Sequence, residues 1–434
     1  VVASENFVNY QGSARFRKTD AANKPLAHAE FEVRNADNKV VGNATYSDED
    51  GFVTATDLAP GKYKFVETEA PEGYLINDTE IPFTIPTEAA DKPAVVEALN
   101  GDDFIDYKGS AVLTKADANG DPLENAEFKV LKESGDTAID SIISDENGKV
   151  LANELAPGKY TFVEVKAPKG YIINTDPVPF EIPAGAKGEP KQIKANKGKD
   201  FINYQGSAKL IKTNEDGKVL ADAVFALQTD KGKEVQKDLK TNAKGEITVD
   251  QLAPGKYQFI ETKAPAGYII NTEPVKFEIN NETKGEPKVV TASDGFINYQ
   301  GSVELTKVDA DNANNRLANA EFQLLDSDQK VLRENLKTDR DGKLKADDLA
   351  PGKYYFKETK APEDYQLSDK LIEFTISAAH SGKPVTVEAR AENKMIPNQP
   401  NKPGRPNTPD QGFYPKTGED KNISLLIIGA IIIL

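Results

Sequence analysis

Cysteine is absent from this 434-residue chain. Disulfides, cysteine-based metal sites and thiol catalysis are therefore excluded. Histidine is nearly absent: His28 and His380 are the only two, and they fall in different copies of a repeated pattern. A multi-histidine metal centre within one domain is excluded, and no metal site is expected. Positive charge is in deficit, with 54 Lys and Arg against 70 Asp and Glu and a formal net charge of −16. Phosphate backbones require basic patches, so nucleic acid is not an expected partner. No long apolar stripe of 3.6-residue period is present, and no secretory leader is visible at the N-terminus. A nucleotide-binding loop, a hydrolase motif and a nucleophile–histidine pair are all missing, so no cofactor is expected.

What is present is repetition. Ala59-Pro60-Gly61-Lys62-Tyr63 returns from Ala156, Ala253 and Ala350. Ala70-Pro71-Glu72-Gly73-Tyr74 returns as Ala167 to Tyr171 and Ala264 to Tyr268, and as Ala361 to Tyr365 with Asp364 in the glycine position. Four repeats are expected, at residues 12–108, 109–205, 206–300 and 301–395. The opening Phe7-Val8-Asn9-Tyr10-Gln11 matches words that later close a repeat, so residues 1–11 are expected to be the tail of an earlier, truncated copy. Each repeat is long enough to bury its own core, unlike a solenoid unit.

Within each repeat, short alternating runs are separated by turn signals. Asp50-Gly51, Asn147-Gly148 and Asp341-Gly342 predict tight hairpins. The Pro-Gly pairs predict type II turns. The fold class expected is all-β: one β-sandwich or barrel per repeat, in tandem, with very short joints.

Strand side chains alternate faces, so residues i, i+2 and i+4 point the same way. Three strands of each repeat then carry a polar residue on an apolar face. Lys18 follows Ala14 and Phe16; Lys115, Lys212 and Lys307 take the same place in the other copies. Glu67 follows Tyr63 and Phe65, and Glu164, Glu261 and Glu358 repeat it. In the last strand Phe104 precedes Asp106, Phe201 precedes Asn203, Phe296 precedes Asn298, and Ala391 precedes Asn393. Lysine and glutamate are separated by 49, 49, 49 and 51 residues, and lysine and the last-strand Asx by 88, 88, 86 and 86.

Burying an unpaired charge is costly, so groups held this steadily on core faces pair or neutralise. One reading is a buried ion pair with an amide neighbour. The other is chemistry. A desolvated lysine becomes a nucleophilic amine, and a desolvated glutamate keeps its proton, hydrogen-bonds to the Asx carbonyl and shuttles protons. Attack on the Asx carbonyl carbon then releases ammonia from Asn, or water from Asp, and leaves an amide between the first and last strands.

The Gly-Ser-x-x-x-x-Lys opening, the Tyr-x-Phe-x-Glu box, the following Ala-Pro-x-Gly-Tyr and the closing Asn strand resemble the CnaB-type, SpaA-like domains of Gram-positive surface proteins and pilins. The resemblance covers nearly all of residues 12–395. It implies an immunoglobulin-like β-sandwich with a spontaneous Lys–Asn isopeptide bond assisted by the box glutamate. The implied triads are Lys18, Glu67, Asp106; Lys115, Glu164, Asn203; Lys212, Glu261, Asn298; and Lys307, Glu358, Asn393. Asp106 stands where Asn is usual, which implies a Lys–Asp bond. The only reaction expected is this single autocatalytic turnover, so the chain is not expected to be an enzyme.

Beyond Met395 the composition shifts. Residues 396–413 are rich in Pro and Asn and read as an extended spacer. Tyr414-Pro415-Lys416-Thr417-Gly418 resembles the LPxTG sorting signal of sortases, with Tyr in the Leu position. It precedes an apolar run from Ile423 to Leu434, read as a truncated hydrophobic segment, and 414–434 is taken as one unit. The resemblance implies cleavage after Thr417 and covalent attachment of Thr417 to peptidoglycan. The expected partners are thus sortase and peptidoglycan, and the expected location is extracellular, on a Gram-positive cell wall.

Asp117-Ala118-Asn119-Gly120-Asp121 and Asp309-Ala310-Asp311-Asn312 lack the spacing and closing Glu of a calcium loop and read as polar hairpin loops. His28 takes the place of Asn125, Asp222 and Asn319 and reads as an exposed loop residue. The function expected is a rigid stalk presenting an N-terminal adhesin region, absent here, to a host extracellular-matrix or cell-surface protein. The alternatives are a sortase-assembled pilin subunit, which would need an acceptor lysine in a pilin motif, and repeats that bind a host protein directly.

Overall fold

A computed structural model of the chain describes residues 9–88 and 93–397. The spacer beyond Pro397, the sorting pentapeptide Tyr414 to Gly418, the apolar run and most of the N-terminal tail lie outside the described residues. The described residues cluster into two compact units. One holds the first three repeats with Ala346–Lys353 and Thr375–Val387. The other holds Glu304–Lys345, Tyr354–Phe374 and the residues from Glu388.

In the first unit each repeat is two sheets sharing one core. In the second repeat the first strand, Gly109–Asp117, has Lys149–Leu155 antiparallel on one side. On its other side lie Ile193–Lys194 and Phe201–Asn203, both parallel. The facing sheet runs Thr137–Ile143, Glu127–Lys132, Gly158–Lys166, Val178–Ile182. The first and third repeats repeat this plan, around Gly12–Asp20 and Gly206–Asn214. First and last strands are therefore direct parallel neighbours, although they lie at opposite ends of the repeat. Two residues, Tyr107 and Lys108, separate Asp103–Asp106 from Gly109–Asp117.

The core forms where the two alternating faces meet. Ala111, Leu113, Val150 and Leu155 come from one sheet, and Phe128, Val130, Phe162 and Phe180 from the other. Phe201 closes the cluster, edge-on to Phe128 with ring centroids 5.5 Å apart. Tyr160 stacks on Phe180 at 5.6 Å and places its hydroxyl on Ala156 O at 3.0 Å. In the second unit Glu321–Leu325 pairs antiparallel with Val331–Lys337 and with residues 355–360, and Leu305, Phe322, Leu324 and Phe356 are buried.

The turns are built differently from the expectation. Asn147-Gly148 does not close a hairpin: it joins Thr137–Ile143 and Lys149–Leu155, which lie in different sheets, and although Gly148 has φ of 70°, Asn147 is not left-handed as a type I′ turn requires. Asp145 begins the turn instead: Oδ1 accepts from Asn147 N and Lys149 N, and Asp145 O accepts from Gly148 N. The Pro-Gly pairs do not make type II turns. Gly61, Gly158, Gly255 and Gly352 have φ between 145° and 158°, far from the +80° that turn needs, and each opens a strand. Asp364 keeps the left-handed backbone of the glycines it replaces, at φ of 70°. The Asp117 loop is closed by its own carboxylate, which accepts from Asn119 N and Asp121 N. His28 is exposed and left-handed, at φ of 67°.

Candidate functional site

Every lysine, glutamate and last-strand Asx singled out in the sequence is buried, and each set meets at one place. Lys18, Lys115, Lys212 and Asp106, Asn203, Asn298 are wholly inaccessible; Lys307 and Asn393 are 1% and 2% exposed. The strand pairing explains the meeting. Lys115 sits opposite Phe201 in the parallel ladder, so its stem runs beside the strand that carries Asn203. The glutamate strand comes from the facing sheet, so its carboxyl crosses the core to the same point.

In the second repeat Lys115 Nζ donates to Phe201 O at 2.9 Å and Ala116 O at 3.2 Å. Glu164 Oε2 accepts from Asn203 Nδ2 at 2.8 Å and from the main-chain N–H of Asn174 at 2.8 Å. Asn203 Nδ2 also donates to Ile172 O at 2.8 Å. The third repeat matches. Lys212 Nζ donates to Phe296 O at 2.7 Å and stands 4.0 Å from Glu261 Oε1. Glu261 Oε2 accepts from Asn298 Nδ2 at 2.7 Å. In the fourth, Lys307 Nζ is 3.1 Å from Glu358 Oε1, and Glu358 Oε2 accepts from Asn393 Nδ2 at 2.8 Å.

The glutamate thus uses its two oxygens for different neighbours. Oε1 is the oxygen nearest the amine in the third and fourth repeats, and Oε2 holds the amide nitrogen in the second, third and fourth. This corrects one expectation: the carboxyl faces the Asn nitrogen, not its carbonyl oxygen. The cause is local. Ile172 O beside the amide is an acceptor, and Oε2 is already an acceptor for Asn174 N, so the nitrogen is the end that satisfies both. The buried Oδ1 of Asn203, Asn298 and Asn393 has no hydrogen-bond partner, nor has Oε1 of Glu164.

The first repeat differs because it holds two carboxyls. Lys18 Nζ donates to Asp106 Oδ1 and lies 3.3 Å from Glu67 Oε1. Burial pushes the Glu67 carboxyl up to about 8, against the pull of Lys18 and helped by the Asp106 charge. Burial likewise raises Asp106.

Burial pushes the Lys115 and Lys212 ammonium groups down to about 8, and lowers Lys307 as well. Glu164 and Glu261 are raised by the same loss of solvent. Against an ordinary lysine near 10.4, a value of about 8 increases the neutral amine at pH 7 by roughly 200-fold. Aromatic faces flank each ammonium, with Lys18 4.4 Å from the Phe104 ring centroid and Lys212 4.6 Å from that of Phe296.

Two further sets of residues serve the site without having been singled out. Gly51, Gly148, Gly245 and Gly342 press on the lysine main chain; a Cβ on Gly148 would stand 2.1 Å from Lys115 O. Each glycine carbonyl accepts from the lysine N–H at 2.7–2.8 Å, which fixes where the side chain starts. The recurrence of Gly at this spacing was the available signal. The second set is Asn77, Asn174 and Asn271, whose main-chain N–H solvates the glutamate. Their signal was the recurrence of Ile-Asn three residues after the Gly-Tyr tyrosine in the first three repeats alone.

A family described as SpaA, prealbumin-like fold domain, matches residues 12–100, 109–199, 206–294 and 301–393. Serine-aspartate repeat-containing protein D of Staphylococcus aureus strain Newman is 27% identical over 290 residues, covering 58% of this chain and 21% of that protein. The trypsin-resistant surface T6 protein of Streptococcus pyogenes is 38% identical over 69 residues, 16% of this chain and 13% of that one. The chain therefore spans about a fifth or less of the length of these curated relatives. Among solved structures, the Bacillus anthracis TIE protein aligns with a TM-score of 0.39 at 22% identity, over 88% of this chain and 69% of that one. BcpA, the major pilin subunit of Bacillus cereus, aligns with a TM-score of 0.31 at 20% identity, over 66% of this chain and 99% of its own.

Proposed function

The chain belongs to the SpaA family of prealbumin-like fold domains, and from that premise we propose that each repeat ties its first strand to its last by an isopeptide bond and that the tied repeats serve as a stalk. The observation that carries this reading is the buried carboxyl of the third and fourth repeats, where one glutamate oxygen lies 4.0 and 3.1 Å from the lysine amine and the other accepts from the Asn amide. Lys115 Nζ, as the neutral amine, attacks Cγ of Asn203. The surplus proton of Nζ passes to the glutamate, and the glutamate delivers a proton to Nδ2. The C–Nδ2 bond breaks, ammonia leaves, and the Nζ–Cγ amide remains. In the first repeat the electrophile is the protonated Asp106 carboxyl and the leaving group is water. The carboxyl ends as it began, so each repeat turns over once and acts on nothing outside itself.

Such a tie gives a cysteine-free extracellular domain a staple that thiols do not reduce. The chain would be held by Thr417 on peptidoglycan after sortase action, outside the cell, and would carry whatever precedes it away from the wall. The test is the intact mass of the purified chain. Three ammonia losses and one water loss are expected from the three Asn and one Asp acceptors. A mass equal to that of the unmodified sequence leaves only buried ion pairs and refutes the chemistry. Release of the chain from cells by peptidoglycan digestion, but not by salt or detergent, tests the anchorage through Thr417.

A further inference from the structure

Asn77, Asn174 and Asn271 are buried, at 5–6% exposure, beside three of the cross-link sites. Each lies in a two-residue strand: Ile76–Asn77, Ile173–Asn174 and Ile270–Asn271. The main-chain N–H donates to the glutamate Oε2 at 2.7, 2.8 and 2.7 Å. The side-chain Nδ2 donates to Ile105 O, Ile202 O and Ile297 O at 2.8, 3.0 and 3.0 Å. Those isoleucines immediately precede the reactive Asp106, Asn203 and Asn298. One asparagine therefore binds the glutamate with its backbone and the electrophile's strand with its side chain.

The same short strand is where the next repeat docks. Ile76–Asn77 pairs in parallel with Gly185–Ala186, Ile173–Asn174 with Glu282–Thr283, and Ile270–Asn271 with Ala379–His380. Asn77 Oδ1 also accepts from Gly188 N, and Asn271 Oδ1 from Gly382 N, both at 3.0 Å. At the middle joint Gly285 N turns to Asp176 Oδ2 at 2.9 Å. The fourth repeat departs from this plan. Ser368 takes the asparagine's place, and its N–H reaches Glu358 Oε2 at 2.9 Å. Its neighbour Leu367 is 58% exposed, and a cavity of about 470 Å³ lined by Lys307, Glu358, Ser368 and Asn393 opens there.

We propose that Asn77, Asn174 and Asn271 are positioning residues for the cross-linking reaction, and that docking of the following repeat completes their seat. Cross-linking in one repeat is then coupled to folding of the next, and the fourth link, with Ser368 and an open cavity, forms last. The inference rests on the cross-linking reading and adds an order and a cause to it.

The test follows the full chain during cell-free synthesis, sampling over time, digesting, and scoring each Lys–Asx link by mass. In the unaltered chain links 1 to 3 are expected to complete before link 4. Asn271→Ser installs the residue that the fourth repeat already carries, and is expected to slow link 3 by about tenfold or more through misplacement of the carboxyl. Links 1 and 2 serve as internal controls. Gly382→Pro leaves the third repeat's own sequence untouched, removes both the N–H that Asn271 Oδ1 receives and the left-handed turn, at φ of 69°, that presents it, and is expected to slow link 3 too. Loosening the N–H on Glu261 also moves the pH profile of link 3 upward, which a purely structural role would not do. Ser368→Asn is expected to speed link 4, a gain that no folding defect produces. Unchanged rates for link 3 in both variants, or for link 4 in Ser368→Asn, overturn the proposal. Loss of neither ammonia nor water at any repeat refutes the cross-linking reading itself.

Discussion

Replacing Glu164 by Gln keeps the size of the side chain and removes the group that moves protons. Lys115 and Asn203 then stay buried side by side, unlinked. The magnitude follows from the loop the bond would close, the 89 residues from Lys115 to Asn203. In the chain-entropy treatment of cross-links, a loop of that length contributes about 4–5 kcal/mol. A domain near 100 residues shifts its midpoint by about 4–8 °C per kcal/mol, so the second repeat should melt roughly 16–40 °C lower. Intact mass should show one ammonia retained, and peptide mapping should find Lys115 and Asn203 on separate peptides. Calorimetry of the full chain should show one transition falling while the others hold. If the two peptides remain joined, the role given to Glu164 is wrong. If they separate and no transition moves, the bond exists but does not stabilise by closing the loop.

Asn203→Ala, which cannot link, leaves Lys115 titrating. The folded value of about 8 lies below the unfolded one near 10.4, so the folded state binds fewer protons between them. The second repeat should therefore gain stability as pH rises from about 8 toward 10.4, by on the order of 3 kcal/mol, with no such slope below pH 8; denaturant titrations across this range check it. In the first repeat, link formation should slow above about pH 8, where Glu67 loses its proton and Asp106 is harder to keep neutral; timed peptide mapping at several pH values reads this. Asp106→Asn should replace the water loss by an ammonia loss, seen in the intact mass. Under force between the chain ends, the linked second repeat should not extend, because the bond bypasses residues 116–202. Lys115→Ala should release on the order of 300 Å of that bypassed chain, measured by single-molecule pulling.

Period-two alternation was enough to place Lys115, Glu164 and Asn203 on core faces, because that pattern is local. Alternation does not say which strands are neighbours. That Gly109–Asp117 lies parallel to Phe201–Asn203 depends on contacts nearly 90 residues apart, and nothing in either strand announces its partner. The turns depart from the expectation for a similar reason. Asn147-Gly148 fits a type I′ turn by composition, but Asp145 two residues earlier captures the amides and shifts the turn's start. Asn174 carries no alternation signal because its strand is two residues long, too short to show a period, and because its partners are the side-chain carboxyl of Glu164 and the main-chain carbonyl of Ile202, each on another strand. The docking of Ile173–Asn174 on Glu282–Thr283 joins residues over a hundred apart in different repeats. Repetition shows that repeats exist; it carries no mark of the surface by which one meets the next.

The buried triad also explains why the bond should form without help. Before reaction, Lys115 and Glu164 are both taken out of water, and the oxygens Glu164 Oε1 and Asn203 Oδ1 have no partner. Each unsatisfied buried polar atom costs about 1–3 kcal/mol. The unlinked repeat is thus held together by its aromatic core against a destabilised polar centre. The proposed reaction would remove the buried ionisable amine: the neutral amine becomes an amide nitrogen that does not titrate, and the proton it gives up leaves with ammonia. Folding supplies proximity and desolvation together, because the same Phe128, Phe162 and Phe201 contacts that form the core bring the three side chains into one dry site. Weakening that core should therefore slow linking before it prevents folding. Phe128→Leu, a buried change that leaves every polar group in place, should delay the second link while the linked product, once formed, still melts above the unlinked Glu164→Gln repeat. A link that forms at the unaltered rate in Phe128→Leu would show that packing around the lysine does not set the reaction.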